Sequence, residues 1–240
     1  MKNEKNEVDL DFEYEILPDD NSDFDLSFKL IIIGDSGVGK SCLTNSAIKN
    51  SFEENYNATI GFEFITFNIK INERIIKLQI WDTCGQELYR SLITNFYRNS
   101  SLAIMVYAIN NKESFDDIDM WLRELRTYSN PNAKIFLIGN KLDLENERKI
   151  PREKGEKFSK DNNFDLFLES SAKAGINTRN LFIKAAKILH DEFIQYEKEN
   201  SDNEDTLEKD QSFKFEDKYD SNSRNKVNDK SKKKKKRRCC

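Results

Sequence analysis

Apolar residues along the chain switch repeatedly between the pattern of buried strands and the pattern of helices. Three short, almost continuously apolar runs are typical of strands buried on both faces of a sheet: 102–109, 134–138 and 164–168. The apolar run 28–33 predicts a further strand. Helices are predicted over about 40–50, 115–128 and 181–193. We therefore expect an α/β fold, with a mostly parallel sheet covered by helices on both faces.

Two further runs alternate between apolar and polar residues. They cover 62–71 and 75–81 and flank Asn72, Glu73 and Arg74, which predicts a β-hairpin. The apolar stripes of the predicted helices are interpreted as core rather than as ligand-binding surfaces.

The two ends of the chain lack the regular apolar spacing that a buried face requires. Residues 1–27 are rich in Asp and Glu, and we expect a disordered arm, with a docking or regulatory role as the functional alternative. Residues 196–240 turn to Glu, Asp, Asn, Ser and Lys, which predicts a disordered tether. The folded domain is expected over residues 28–195.

Composition and charge fit one soluble domain with tails. The 240 residues are 37% hydrophobic and 34% charged, and the net charge of -4 conceals an acidic beginning and an unbroken Lys/Arg run at 232–238. The basic run contains no interleaved aromatic residues, so nucleic acid is not an expected partner. Four cysteines without a disulfide pattern favour a reducing compartment. No apolar run approaches about eighteen residues, so we expect a cytosolic chain unless something attaches it to a membrane.

The motif G-x-x-x-x-G-K-S follows the first predicted strand and opens the first predicted helix. Its glycines allow backbone N–H groups to wrap a polyphosphate. Lys40 is predicted to reach the β- and γ-phosphates, and the Ser41 hydroxyl to ligate Mg²⁺, while the helix N-terminus attracts the anion. The candidate phosphate-binding residues here are Ser36, Gly37, Val38, Gly39, Lys40, Ser41 and Cys42.

A second group of candidate residues follows the strand that ends near residue 81. Asp82 stands at its carboxyl end, where ligands of open α/β sheets bind, and is predicted to hold the Mg²⁺ environment, with water between them. Gly85 is predicted to offer its N–H to the γ-phosphate, and Gln86 to orient an attacking water. Thr59 is expected to complete the Mg²⁺ shell only when a γ-phosphate is present.

Two loops after the later strands point to guanine as the base. A carboxylate that accepts from the N1–H and the exocyclic amine of guanine discriminates against adenine, and Asp143 in the segment 140–143 is the candidate. The small Ala172 lets its backbone N–H approach the base oxygen. The candidate guanine-binding residues in these loops are Asn140, Lys141, Asp143, Ser171, Ala172 and Lys173.

Taken in order, these stretches resemble the Ras-like small GTPases. The segments 59–64 and 77–83 and the final pair Cys239 and Cys240 resemble the Rab branch in particular. The resemblance covers roughly residues 28–195 and the terminus. It implies a Ras-like P-loop fold with a six-stranded sheet, GTP or GDP with Mg²⁺ as ligands, and a role in vesicle-mediated traffic.

The resemblance also implies roles for individual residues and partners. Phe52 would pack edge-on against guanine, Lys141 would lie along the nucleoside, and Thr59 and Ser41 would ligate Mg²⁺. Segments around 53–62 and 83–98 would be the two switches. The implied partners are an exchange factor, an activating protein, a GDP-dissociation inhibitor, a prenylation escort protein and effectors.

The sequence departs from the Rab pattern at three places. Cys84 stands where Rab proteins usually carry Ala, residues 96–100 replace a segment that usually ends in Gly-Ala, and Ala108 occupies a position commonly held by Asp. None of the three removes a phosphate or base contact. A buried thiol that fills the space of Ala is the favoured interpretation of Cys84, with sensitivity to oxidation as the alternative.

The basic run directly before Cys239 and Cys240 resembles a prenylated tail. It lacks the C-a-a-X form, so both cysteines would be modified by the Rab-specific route. Two lipid chains give stable attachment, and basic residues add attraction to an anionic leaflet. The expected location is the cytoplasmic face of an intracellular membrane, in exchange with a cytosolic pool.

The expected activity is slow GTP hydrolysis. No residue is assigned as an arginine finger, so the intrinsic rate is expected near ~10⁻⁴ s⁻¹, with a ~10³- to 10⁵-fold increase by an activating protein. Two alternatives stay open. One is a phosphotransferase with the same phosphate loop and another base, and the other is a membrane-recruited scaffold that binds GTP without turnover.

Overall fold

The computed structural model describes residues 10–18, 21–52, 61–84 and 96–204. Seven strands form one sheet in the order β1-β3-β4-β2-β5-β6-β7. Their bounds are β1 Tyr14–Leu17, β2 Leu26–Ile33, β3 Phe62–Ile71, β4 Arg74–Thr83, β5 Leu102–Ala108, β6 Lys134–Asn140 and β7 Leu166–Glu169. The pairs from β4 through β2, β5 and β6 to β7 are parallel, while β1, β3 and β4 are antiparallel neighbours.

Helices cover both faces of the sheet. They are α1 Lys40–Lys49, α2 Lys112–Asp116, α3 Ile118–Tyr128, α4 Arg152–Asp161 and α5 Thr178–Glu204, with a 3-10 helix at Leu142–Glu147. Within the described ranges, no helix is both long enough and apolar enough to cross a lipid bilayer.

Alternate residues of β2 divide the core into two layers. Leu30 and Ile32 belong to the layer shared with α1 and α5, whereas Ile31 and Ile33 belong to the layer shared with α2 and α3. All seven residues of β5 are buried, as expected for a strand covered on both faces. The predicted α/β architecture with a mostly parallel, doubly covered sheet is confirmed.

The β3–β4 hairpin has a tighter connection than the sequence predicts. Ile71 pairs with Arg74, so only Asn72 and Glu73 form the turn. Asn72 has a φ of 53°, a left-handed conformation that Asn tolerates better than most residues and that two-residue hairpins require.

Among the described residues the sheet has seven strands rather than the six implied by the resemblance, because part of the acidic arm joins it. Tyr14 to Leu17 pair antiparallel with the edge of β3 as β1, and Leu10 and Phe12 pack against the core. The Nζ of Lys187 on α5 lies 5.4 Å from the centre of the Phe12 ring. The arm is therefore not uniformly disordered as expected, because β3 offers an open edge that a short run can pair with.

The last helix continues beyond the predicted start of the tether. It reaches Glu204 rather than ending near residue 195. Glu197 pairs with Arg74 of β4, with 3.3 Å between the side-chain nitrogen and oxygen. Contact with the hairpin thus supports the helix after its apolar stripe has ended. The rest of the predicted arm and tether, residues 1–9, 19–20 and 205–240, lies outside the described residues.

Candidate nucleotide-binding site

The loop between β2 and α1 requires glycine at two positions for steric reasons. A Cβ on Gly34 would lie 2.2 Å from the backbone oxygen of Val106 on β5. A Cβ on Gly39, whose φ is +94°, would lie 2.5 Å from the amide nitrogen of the Asn140 side chain. The loop therefore lies directly against the carboxyl ends of β5 and β6, where ligands of open parallel sheets bind.

Lys40 is the buried cation of this loop. Its ammonium donates to the backbone oxygens of Gly34 and Asp35, both at 2.7 Å, so that the side chain curls back over the loop. Burial lowers the pKa of Lys40 to about 8, although the neighbouring carboxylates of Asp82 and Asp35 oppose this shift. A buried ammonium that is held by two neutral carbonyls is suited to pair with an anion.

Asp82 supplies a buried carboxylate beside the same loop. The parallel pairing of β2 and β4 sets it opposite Ile32, and neither of its oxygens has a hydrogen-bond partner among the described residues. Burial raises the pKa of Asp82 to about 6, while the nearby Ser41 hydroxyl and Lys40 ammonium lower it. A buried carboxylate without a partner is costly, and oxygen donors of this kind are those that Mg²⁺ prefers. Asp82 and Ser41 therefore fit a Mg²⁺ site.

Asn140 connects the phosphate loop to the last loop of the site. Its side-chain nitrogen donates to the backbone oxygen of Val38 at 2.9 Å, and its side-chain oxygen accepts from the hydroxyl of Ser170 at 3.1 Å. Asn140 is buried at the end of β6. It thus holds three segments together and does not depend on a ligand for its partners.

Asp143 and Ser171 join the two loops that the sequence predicts to read a base. The Ser171 hydroxyl donates to the Asp143 carboxylate at 2.5 Å, and the backbone N–H of Leu142 donates to the Ser170 oxygen at 2.9 Å. Ala172 is buried, and its N–H lies 3.4 Å from the side-chain oxygen of Asn140. The carboxyl ends of the strands therefore carry a phosphate loop, an unpaired carboxylate and two polar loops that are hydrogen-bonded to each other.

The Ras family model matches residues 29–191 of this chain, which is well over half of it. The chain belongs to the Ras family. Members of this family are small GTPases, which bind GTP and GDP with Mg²⁺, hydrolyse GTP, and act through regulators and effectors. The candidate site of this Ras-family domain lies where its phosphate loop meets the ends of β4, β5 and β6.

The structure brings most of the predicted site residues of this small GTPase to the carboxyl ends of the strands. Ser36 and Gly37 are exposed at the tip of the phosphate loop, Val38 is buried, and Cys42 is half-buried on α1. Lys141 has a left-handed φ of 72° between β6 and the 3-10 helix. Phe52, three residues after the end of α1, and Lys173 are both exposed. Five predicted residues lie outside the described part of the chain: Thr59, Gly85, Gln86, Cys239 and Cys240.

Two supports of the site were not anticipated from the sequence. The indole N–H of Trp121 on α3 donates to the Asp35 carboxylate at 2.8 Å, which ties the phosphate loop to that helix. Arg148 pairs with Glu169, whose side chain is 1% exposed. The helical spacing predicts Trp121 as core, and nothing in the sequence relates it to Asp35, because the contact joins residues far apart in the chain.

Cys84 is buried at the end of the β4 segment. It belongs to the core layer that also contains Tyr97 and Ile33, and its backbone N–H donates to the oxygen of Gly61 at 3.0 Å. This environment is that of a small apolar side chain.

Proposed function

We propose that this Ras-family protein is a Rab-type small GTPase, a switch between GTP and GDP forms that regulates vesicle-mediated traffic. The observation that supports the switch most is the buried, unpartnered carboxylate of Asp82 next to Ser41 and Lys40. The segments 59–64 and 77–83 and the two terminal cysteines support the Rab branch.

The residues of the site take separate parts in this proposal. Lys40 would turn from the loop carbonyls to the β- and γ-phosphates, while Ser41 and Asp82 would hold Mg²⁺. When bound there, Mg²⁺ would neutralise charge that develops on the phosphates. Thr59 and Gly85 contact the γ-phosphate side in the GTP form and are released when that phosphate is lost.

Recognition of guanine rests on the loops after β6 and β7. The Asp143 carboxylate accepts from the N1–H and the amine of guanine, and the backbone N–H of Ala172 donates to the base oxygen. Phe52, Lys141 and Lys173 flank the base and the sugar, and Asn140 and Ser171 hold these loops in place. A base without this donor pair leaves the carboxylate of Asp143 unsatisfied.

Hydrolysis depends on Gln86, which orients the attacking water. Replacing Gln86 with Leu removes the groups that hold this water and leaves the phosphate loop intact. We expect the variant to bind GTP as the parent does and to hydrolyse it at least ~10-fold more slowly, most clearly with an activating protein present. Single-turnover hydrolysis of GTP measures this. Equal rates in parent and variant would show that Gln86 does not have this role.

The tail directs the protein to the cytoplasmic face of an intracellular membrane, in exchange with a cytosolic pool. Prenylation of Cys239 and Cys240 and the basic run at 232–238 give two kinds of membrane attraction. Escort and GDP-dissociation-inhibitor proteins would handle the lipidated form, beside an exchange factor, an activating protein and effectors.

Replacing both cysteines, Cys239 and Cys240, with Ser should move a tagged chain from membranes to cytosol, and unchanged membrane association would contradict lipid attachment there.

A further inference from the structure

Arg148 lies between two glutamates that come from different loops of the site. Its Nε donates to Glu145 at 2.9 Å, and its Nη1 donates to Glu169 at 2.6 Å. Its Nη2 donates to both carboxylates, at 2.6 Å to Glu145 and at 3.0 Å to Glu169. We call Glu145, Arg148 and Glu169 the Arg148 bridge.

The two glutamates are next to the two segments assigned to the base. Glu145 lies two residues after Asp143 in the 3-10 segment Leu142–Glu147, just beyond a kink at Leu144. Glu169 is the last residue of β7, and residues 170–173 follow it directly. The Arg148 bridge therefore joins the two loops from one side, while the bond between Ser171 and Asp143 joins them at the site itself.

The geometry of the Arg148 bridge requires arginine. A guanidinium has five N–H donors in a planar fork, and here its three nitrogens contact two carboxylates and the backbone oxygen of Ile150. The single ammonium of lysine could at most replace Nη2, and it would lose the contacts that Nε makes with Glu145 and that Nη1 makes with Glu169. Because the Arg148 side chain is only 17% exposed and that of Glu169 is 1% exposed, their contact is largely shielded from water, whereas Glu145 lies on the solvent side of the bridge.

Glu169 keeps other partners when Arg148 is replaced. Arg152 of α4 lies 3.5 Å from its carboxylate, and the side chain of Asn177 donates to its backbone oxygen at 2.8 Å. Loss of Arg148 therefore leaves the end of β7 anchored and removes mainly the connection to the loop of Asp143.

We propose that Arg148 is a positioning residue for base selection, which sets the distance between the loop of Asp143 and the loop of Ala172 through Glu145 and Glu169. This inference rests on the proposed recognition of guanine. Arg148 contacts no base in this role, and it acts through the carboxylate that it places. Without the bridge, the hydrogen bonds at the site still join the two loops, and the Asp143 carboxylate loses its fixed orientation.

The test compares GDP with inosine diphosphate, whose base lacks only the exocyclic amine of guanine. A well-placed Asp143 carboxylate should favour GDP by about tenfold to a hundredfold, the usual range for one hydrogen bond to a charged group. In Arg148→Met this ratio should fall towards one, chiefly through weaker binding of GDP. Arg148→Lys should behave in the same way, because it restores the charge without the fork.

A stability measurement, a second variant and a control variant separate positioning from stability. The free energy of unfolding in urea, measured without nucleotide, reports what each variant costs the fold. Glu145→Gln changes a side chain that is 59% exposed and leaves the pair of Arg148 with Glu169 intact, so it should fold normally and lower the ratio in the same direction. Arg74→Met is the matched control, because Arg74 pairs with Glu197 at the amino end of β4, away from the site, and its ratio should equal that of the parent.

A parent ratio retained in Arg148→Met, Arg148→Lys and Glu145→Gln would overturn the inference, whatever their stability. If the parent protein discriminated between GDP and inosine diphosphate and the variants had the same ratio, only this inference would be contradicted. The proposed function would stand. A parent protein with no affinity for GDP would instead contradict the proposed function, and the inference would fall with it.

Discussion

Replacing Asp143 with Asn should move the preference of the site from guanine to xanthine nucleotides. The Asp143 carboxylate offers two acceptors, which match the N1–H and amine of guanine. An asparagine offers one acceptor and one donor, which match the N1–H and the 2-carbonyl of xanthine. We expect affinity for GDP to fall by about 10³-fold, because a site built to hydrogen-bond one base strongly rejects a mismatched partner.

Competition against a fluorescent nucleotide measures this change with GDP, xanthosine diphosphate and ADP as competitors. The affinity for xanthosine diphosphate should rise in the variant, and ADP should remain a poor competitor. Asp119→Asn is a suitable control, because Asp119 is exposed in the first turn of α3. If Asp143→Asn retained the affinity of the parent for GDP, Asp143 would not be the residue that reads the base.

The sequence was sufficient to predict the parts of the fold that depend on local patterns. The apolar run of β2 and the Gly-rich loop before Lys40 are contiguous, so their order alone predicts a strand, a turn and a helix. β5 and β6 are also recognisable, because strands buried on both faces are apolar along most of their length and do not alternate with polar residues.

The arm and the supports of the site could not be predicted in the same way. The strand Tyr14–Leu17 exists because it pairs with β3, more than fifty residues later in the chain, and its own side chains are largely exposed. The partners of Arg148 and Trp121 are likewise fixed by tertiary packing. A sequence shows that such residues are charged or aromatic, and only the fold shows which carboxylate each one meets.

Lys40 should carry a large part of the affinity for the diphosphate group. Its ammonium is buried and held by two carbonyl oxygens, which a phosphate can replace as acceptors. Lys40→Met retains most of the length of the side chain and removes the charge. We expect GDP to bind at least about a hundredfold more weakly, because charge-assisted hydrogen bonds are the strongest polar contacts in such sites.

The pH dependence of stability shows whether Lys40→Met is folded and altered only at this group. Burial lowers the pKa of Lys40 from 10.5 to about 8, so the unfolded chain binds more protons than the native protein between these values. Without nucleotide and Mg²⁺, this group therefore makes the parent more stable as the pH rises from 8 towards 10.5. The variant should lack that rise.

The most direct test is a calorimetric titration of GDP into the purified chain, stripped of nucleotide, with Mg²⁺ and again with excess chelator. We expect one site per chain, weaker binding when Mg²⁺ is removed because Ser41 and Asp82 lose the ion, and much weaker binding in Lys40→Met. No measurable heat of binding by the folded parent in Mg²⁺, or equal affinity in parent and Lys40→Met, would contradict the claim that this loop holds a guanine nucleotide.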